Sequence, residues 1–176
     1  METIHIITRC SRTKNLLKIK ESIFKEDYNL IWHVLFDTTI LKDIDAELLN
    51  NLQHPNINLK FLKSSPGDYG HDLINQTIDI INDGWIYVLD DDNILHENFL
   101  KRISETITPN IKGIIFSQFI DGKDFTKQEI REAKPENVKV QKIDMAQFIL
   151  KRDLIGDKRL KFGEYKADGY FIEELY

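Results

Sequence analysis

Trp85-Ile86-Tyr87-Val88-Leu89 runs straight into Asp90-Asp91-Asp92-Asn93, and the fold of the chain is read from this stretch. Unbroken apolar residues between an Asn82-Asp83-Gly84 turn and a carboxylate cluster predict a short strand covered on both faces. A half-exposed strand would alternate instead. Strands covered on both sides belong mostly to parallel sheets packed by helices, so the flanking sequence should alternate strand with helix.

Upstream it does. Ile4 to Thr8 is a β-branched run, followed by Ser11 as an N-cap and by Leu16, Leu17, Ile23 and Phe24 at helical spacing. Leu30 to Phe36 predicts a second strand ending at Asp37-Thr38-Thr39, and Ile44, Leu48, Leu49 and Leu52 mark a short helix. Asn58 to Leu62 gives a third strand, closed by Ser64-Ser65-Pro66-Gly67, before a helix over His71 to Ile81. Downstream of the aspartates, His96 to Ile107 predicts another helix. Strand–helix alternation over residues 1–110 predicts a mainly parallel sheet with right-handed crossovers and helices on both faces. Beyond it, Gly113 to Ile120 and Val138 to Leu150 are strand-rich. A turn at Asp121-Gly122-Lys123-Asp124 and a charged, helical stretch at Gln128 to Lys134 separate them, so the sheet turns mixed. Without a repeat or a Gly/Ser/Pro-rich linker, residues 1–176 read as one α/β domain.

Composition agrees with one folded domain: 176 residues, 41% hydrophobic and 30% charged, with eight Gly and four Pro. A net charge of −5 and a pI near 5.6 argue against a nucleic-acid partner, because such a surface repels phosphate. The single cysteine, Cys10, cannot close an internal disulfide and reads as a half-buried thiol at a strand end. No apolar run approaches the ~20 residues of a transmembrane span, and the N-terminus has no signal-peptide pattern. The expected address is cytoplasmic, and the Asn75-Gln76-Thr77 sequon is a chance match.

In an open α/β sheet, ligands bind outside the carboxyl ends of the strands. Those ends carry Thr8-Arg9, Asp37, Gly67-Asp68-Tyr69-Gly70 and the aspartate triplet. Three adjacent carboxylates repel one another unless something positive compensates, and Mg²⁺ or Mn²⁺ bridging carboxylates to a diphosphate is one completion. The other is a solvated acidic turn that caps the following helix. Gly67 and Gly70 either let backbone approach a phosphate at a helix N-terminus or simply make a turn. Asp37 can accept from a base or ribose, and Arg9 can stack on a base or meet a phosphate; either is equally a surface residue. Five histidines lack zinc-ligand spacing, and only His71 lies near the expected rim. Neither a Gly-x-Ser-x-Gly elbow nor a P-loop occurs. Asp168 reads as a helix cap or as a general base, ahead of an acidic helix start at Ile172-Glu173-Glu174-Leu175.

Four blocks together resemble small GT-A glycosyltransferases. They are Ile6-Ile7-Thr8-Arg9, the strand running into Asp90-Asp91-Asp92-Asn93, Ile143-Asp144-Met145-Ala146-Gln147-Phe148-Ile149, and Ala167-Asp168-Gly169. The aspartates match the DXD motif, and the order and spacing of the blocks carry the likeness over nearly the whole chain. The resemblance implies a Rossmann-like GT-A fold, with residues 1–110 binding a nucleotide sugar and 111–176 forming the acceptor side. It implies Mn²⁺ or Mg²⁺ on Asp92, with Asp90 at the metal's water shell or the ribose and Asp91 beside them. Asp37, with Thr8 and Arg9 nearby, would face the nucleoside, usually uridine. Gly67, His71 and Asn75 would line the donor site. Asp168 would be the base of an inverting hexosyl transfer from a donor such as UDP-glucose to a glycan or other hydroxyl, with Glu173 and Glu174 as substitutes. Members commonly continue past the equivalent of Tyr176, so the resemblance also implies a longer parent chain or a homo-oligomer. Two other readings stay open: a sugar-phosphate nucleotidyltransferase, although Ile7-Thr8-Arg9-Cys10-Ser11 is not Gly-rich, and a nucleotide-sugar-binding module without turnover.

Overall fold

A computed structural model describes residues 2–121 and 128–176. Its strands are β1 (Ile4–Cys10), β2 (Leu30–Asp37), β3 (Ile57–Leu62), β4 (Trp85–Val88), β5 (Gly113–Ile115), β6 (Gln118–Asp121), β7 (Gln128–Arg131) and β8 (Phe148–Lys151). The helices are α1 (Leu16–Ile23), α2 (Ala46–Asn51), α3 (His71–Ile80), α4 (Phe99–Thr106), α5 (Arg152–Ile155) and α6 (Ala167–Glu173). Six strands form one mixed, mainly parallel sheet in the order β3-β2-β1-β4-β8-β5, and β6 with β7 forms a separate two-stranded ladder. This is the α/β, Rossmann-like architecture that the alternating pattern predicts.

The reason for the all-apolar β4 is visible in its burial. Trp85, Tyr87 and Leu89 enter the core on one face of the sheet, and Ile86 and Val88 enter the core on the other. Each such side chain contributes roughly 1.5–3 kcal/mol by leaving water, so neither parity of the strand tolerates a polar residue. β4 pairs with β1 in parallel and with β8 antiparallel, Tyr87 opposite Ile149. β8 comes from the second half of the chain yet lies inside the sheet, between β4 and β5. Among the described residues no helix is long and apolar enough to cross a membrane.

Several local expectations are corrected. Helix α1 begins at Leu16 with Asn15 as its N-cap residue, not at Ser11, whose N–H and hydroxyl are used elsewhere. Gln128 to Arg131 is strand, not helix: it pairs with β6 and sets Ile130 opposite Phe119, an alternation hidden by the charged residues around it. Val138 to Leu150 is strand only from Phe148; before it, Asp144 and Gln147 close a capping box around the 3₁₀ turn Met145–Gln147. Helix α6 starts at Ala167 rather than Ile172, so Glu173 closes the helix instead of opening it. Cys10 is fully buried, not half-buried. The expected turn at Asp121-Gly122-Lys123-Asp124 lies, from Gly122 on, outside the described residues.

Candidate active site

Strand order reverses between β1 and β4, because the chain runs outward through β2 and β3 before crossing back to β4. Crevices of open α/β sheets form at such a reversal. Here it holds a cleft of about 610 Å³. Arg9 near the end of β1 and Ser11 and Arg12 just after it line one side, Asp90, Asp91 and Asp92 after β4 the floor, and Asp144 and Asp168 the far wall.

The three adjacent aspartates do three different things. Asp91 is buried, its side chain only 3% exposed, and one oxygen accepts from Ser11 N (2.6 Å), Ser11 Oγ (2.8 Å) and Arg12 N (2.8 Å). Its other oxygen accepts from Arg12 Nε at 3.0 Å and Nη2 at 2.5 Å. The carboxylate therefore ties the loop after β1 to the end of β4. Asp92 is half-exposed and meets the same Arg12 Nη2 at 2.9 Å. Asp90 is open to the cleft, but protein surrounds it on the other sides. That enclosure, with repulsion from Asp144, Asp92, Asp91 and Asp168, pushes its carboxyl up to about 7.

Asp168 sits in the first turn of α6, where its Oδ1 accepts from Gly169 N at 2.8 Å; the N-cap residue is Lys166. Partial burial and Asp144 raise its pKa, against the pull of that N–H and of His71. A carboxylate held above its ordinary range is suited to take a proton. Gly169 fixes its place, because a Cβ there would come within 2.5 Å of Val140 Cα. His71 and Arg9 also line the cleft, and His71 Nδ1 and Arg9 Nε are buried without a hydrogen-bond partner among the described residues.

Other expected residues fall outside the lining. Thr8 is fully buried and accepts from Trp32 Nε1 at 2.9 Å. Asp37 has no exposed side-chain surface; Arg9 Nη2 at 2.8 Å, Ser64 Oγ at 3.0 Å and Thr39 N at 3.1 Å occupy it. Asn75 bonds both backbone groups of Leu160 at 2.9 Å. Gly67 takes φ +78° in open space, while the space above Gly70 is filled by the Arg9 side chain, which a Cβ would strike at 2.1 Å. The N-terminus of α3 does not wait for a phosphate: Asp68 accepts from Asp72 N, and Asp72 accepts from Ser65 N and Leu73 N. Its anion-binding capacity is already used. Glu173 accepts from Val140 N, and Glu174 pairs with Lys158 and Lys161, both away from the cleft.

Two contributors were not singled out from sequence. Arg12 supplies the cation that the triplet calls for, and Asp144, paired with Arg131 at 2.9 Å, faces Asp90. Asp144-x-x-Gln147 carries a capping-box signal, but nothing in it marks the carboxylate as a cleft residue. Carboxylate oxygens are the right donors for a hard divalent ion, and the repulsion felt by Asp90 is what such an ion relieves. Among the described residues, no three His, Cys, Asp or Glu side chains already stand grouped to chelate one.

Neither a described protein family nor a curated protein sequence matches the chain. Solved structures do. Residues 1–349 of S. aureus TarS in complex with UDP superpose with TM-score 0.69 at 16% identity over 100% of this chain and 55% of that one. The mannosyltransferase PcManGT from Pyrobaculum calidifontis, in complex with GDP-Man and Mn²⁺, gives 0.64 at 12% identity over 98% and 51%. A 4-diphosphocytidyl-2C-methyl-D-erythritol synthase gives 0.62 at 12% identity over 99% and 85%. At these identities the likeness defines the fold, one shared by GT-A-type glycosyltransferases and by nucleotidyltransferases. The chain spans about half the length of the TarS and mannosyltransferase chains it matches.

Proposed function

We propose that the chain is a nucleotide-sugar-dependent glycosyltransferase that uses a divalent metal and moves a hexose from a UDP-type donor to an acceptor hydroxyl with inversion. One observation carries this reading: Asp90, Asp92, Asp144 and Asp168 converge on the floor and wall of a cleft that Arg9, Arg12, Arg131, Lys142 and Lys166 also line. Negative floor and positive rim suit a metal-bound diphosphate, the ion meeting carboxylates and the basic side chains meeting phosphate oxygens. Asp92 and Asp90 would hold Mn²⁺ or Mg²⁺, and the bound ion supplies positive charge against the departing diphosphate. Residues 1–110 would seat the donor, with His71 and Arg9 beside it, while 111–176 supply Asp144 and Asp168.

In this reading Asp168 accepts the acceptor hydroxyl's proton as that oxygen bonds to the anomeric carbon. The bond from that carbon to the diphosphate oxygen breaks, and the electron pair leaves with the nucleoside diphosphate. Arg12, pivoting between Asp91 and Asp92, lies where developing phosphate charge would meet it. The solved complexes of TarS with UDP-GlcNAc and of the mannosyltransferase with GDP-Man and Mn²⁺ support a donor of this class.

Nucleotidyl transfer is the second reading, favoured by the length match to the erythritol synthase. Against it, the N–H groups of Ser11 and Arg12 are bound to Asp91, so the loop after β1 offers no backbone cradle to a triphosphate. A thermal-shift series with UDP and UDP-glucose, with and without Mn²⁺, tests the proposal on the wild type and on Asp92→Ala. The melting point should rise with nucleotide only when the ion is present, and not in the variant. An undiminished rise in Asp92→Ala would remove the metal assignment. Release of pyrophosphate from a nucleoside triphosphate and a sugar phosphate would transfer the case to the second reading.

A further inference from the structure

A second cleft, also of about 610 Å³, opens on the opposite face of β4. Val88 lines the first cleft, whereas Tyr87 and Leu89 line this one, and among the described residues Asp92 alone lines both. The two hollows therefore meet at one carboxylate.

Their chemistry is opposite. The first carries five arginines and lysines beside its five aspartates. Among the described residues, no arginine or lysine lines the second, and Asp92 is its one carboxylate. Its base is an aromatic cluster: Phe99 and Phe116 lie edge to face at 4.8 Å, and Tyr87 contacts both. Its wall is Phe119, 53% exposed and tilted against His96 at 6.1 Å. An uncovered aromatic face with imidazole and amide groups around it, and no basic side chain among the described lining residues to favour an anion, fits a ligand with apolar C–H faces and a hydroxyl rim. A pyranose ring has that form; a phosphate or nucleotide does not.

We infer that this second cleft binds a neutral carbohydrate ring, stacked on Phe119 with hydroxyls toward His96 and Asn93, as a further carbohydrate subsite beside the site proposed above and apart from the hydroxyl that Asp168 would deprotonate in the first cleft. This rests on the glycosyltransferase reading for its role, while the binding itself is independent of it. Phosphate-bearing groups are sorted into the basic cleft and uncharged sugar into the aromatic one, with Asp92 at the boundary.

The test uses the whole chain and saturation-transfer NMR with the methyl β-glycosides of glucose, galactose, mannose and N-acetylglucosamine, and with glucose 6-phosphate as the charged counterpart. At least one neutral glycoside should receive saturation at its ring C–H protons and bind better than glucose 6-phosphate. Phe119→Ala should weaken that binding about tenfold and Phe119→Tyr should retain it. Because Phe119 is exposed, an unchanged melting point keeps either variant informative. Binding that survives Phe119→Ala, that UDP displaces, or that none of the four glycosides displays overturns the inference. Failure of the nucleotide test with glycoside binding intact would instead remove the transferase reading and leave a carbohydrate site.

Discussion

Deleting the Asp91 carboxylate removes the acceptor of the Ser11 and Arg12 N–H groups in a half-exposed loop and releases the Arg12 guanidinium. Asp91→Ala is therefore expected to cost about 2 kcal/mol, read as a lower urea midpoint with an unchanged slope. Asp92→Asn, at a half-exposed ion pair, should cost less than about 0.5 kcal/mol while abolishing the manganese-dependent shift. Equal destabilisation by the two substitutions would contradict the division of labour within the triplet. That division was not legible in the sequence. Asp91 and Arg12 are separated by 79 positions, and only the parallel pairing of β1 with β4 brings them together. From sequence, a cation was expected beside the aspartates, but one of the chain's own arginines already supplies part of it.

At the scale of elements, β1 and β2 are joined through two buried histidines, His5 Nδ1 lying 3.1 Å from His33 Nε2. Burial, then the neighbouring His5, depresses His33 to about 4, and burial lowers His5 as well. Below pH 6.5 the unfolded chain takes up a proton that the folded one refuses, so this pair destabilises progressively as pH falls toward 4. For His33 alone the loss amounts to roughly 3 kcal/mol. Asp90, held up to about 7, acts in the reverse sense over the same range, so wild type must be compared with a variant. Denaturation midpoints of His33→Phe between pH 4.5 and 7.5 should fall less steeply with acid than those of wild type; parallel curves would exclude the pair as the cause. Helix α6 gives a second prediction. Gly169→Ala drives a methyl into Val140 backbone, which should cost about 2 kcal/mol and displace Asp168, so glycosyl transfer falls while donor binding is kept. Elements with a regular apolar pattern, β1, β2, β4 and α3, were legible because burial on one or both faces selects residues locally. β7 was not, since only its pairing with β6 distinguishes Gln128–Arg131 from a charged helix.

For the whole molecule, the sheet runs across the proposed boundary between a donor half and an acceptor half. β8 lies between β4 and β5, so residues 1–110 alone would leave Trp85–Val88, apolar on both faces, as an open edge. A 1–110 fragment is expected to show no cooperative unfolding transition by circular dichroism and to aggregate on concentration; a sharp, reversible melt would mean that the first half stands alone. The same placement of β8 matters while the protein is being made. About sixty residues must follow Val88 before the strand that covers it exists, roughly 3–12 s at ordinary rates of translation. Throughout that interval a strand apolar at every position lacks its neighbour, which makes the nascent chain a natural client for ribosome-associated chaperones.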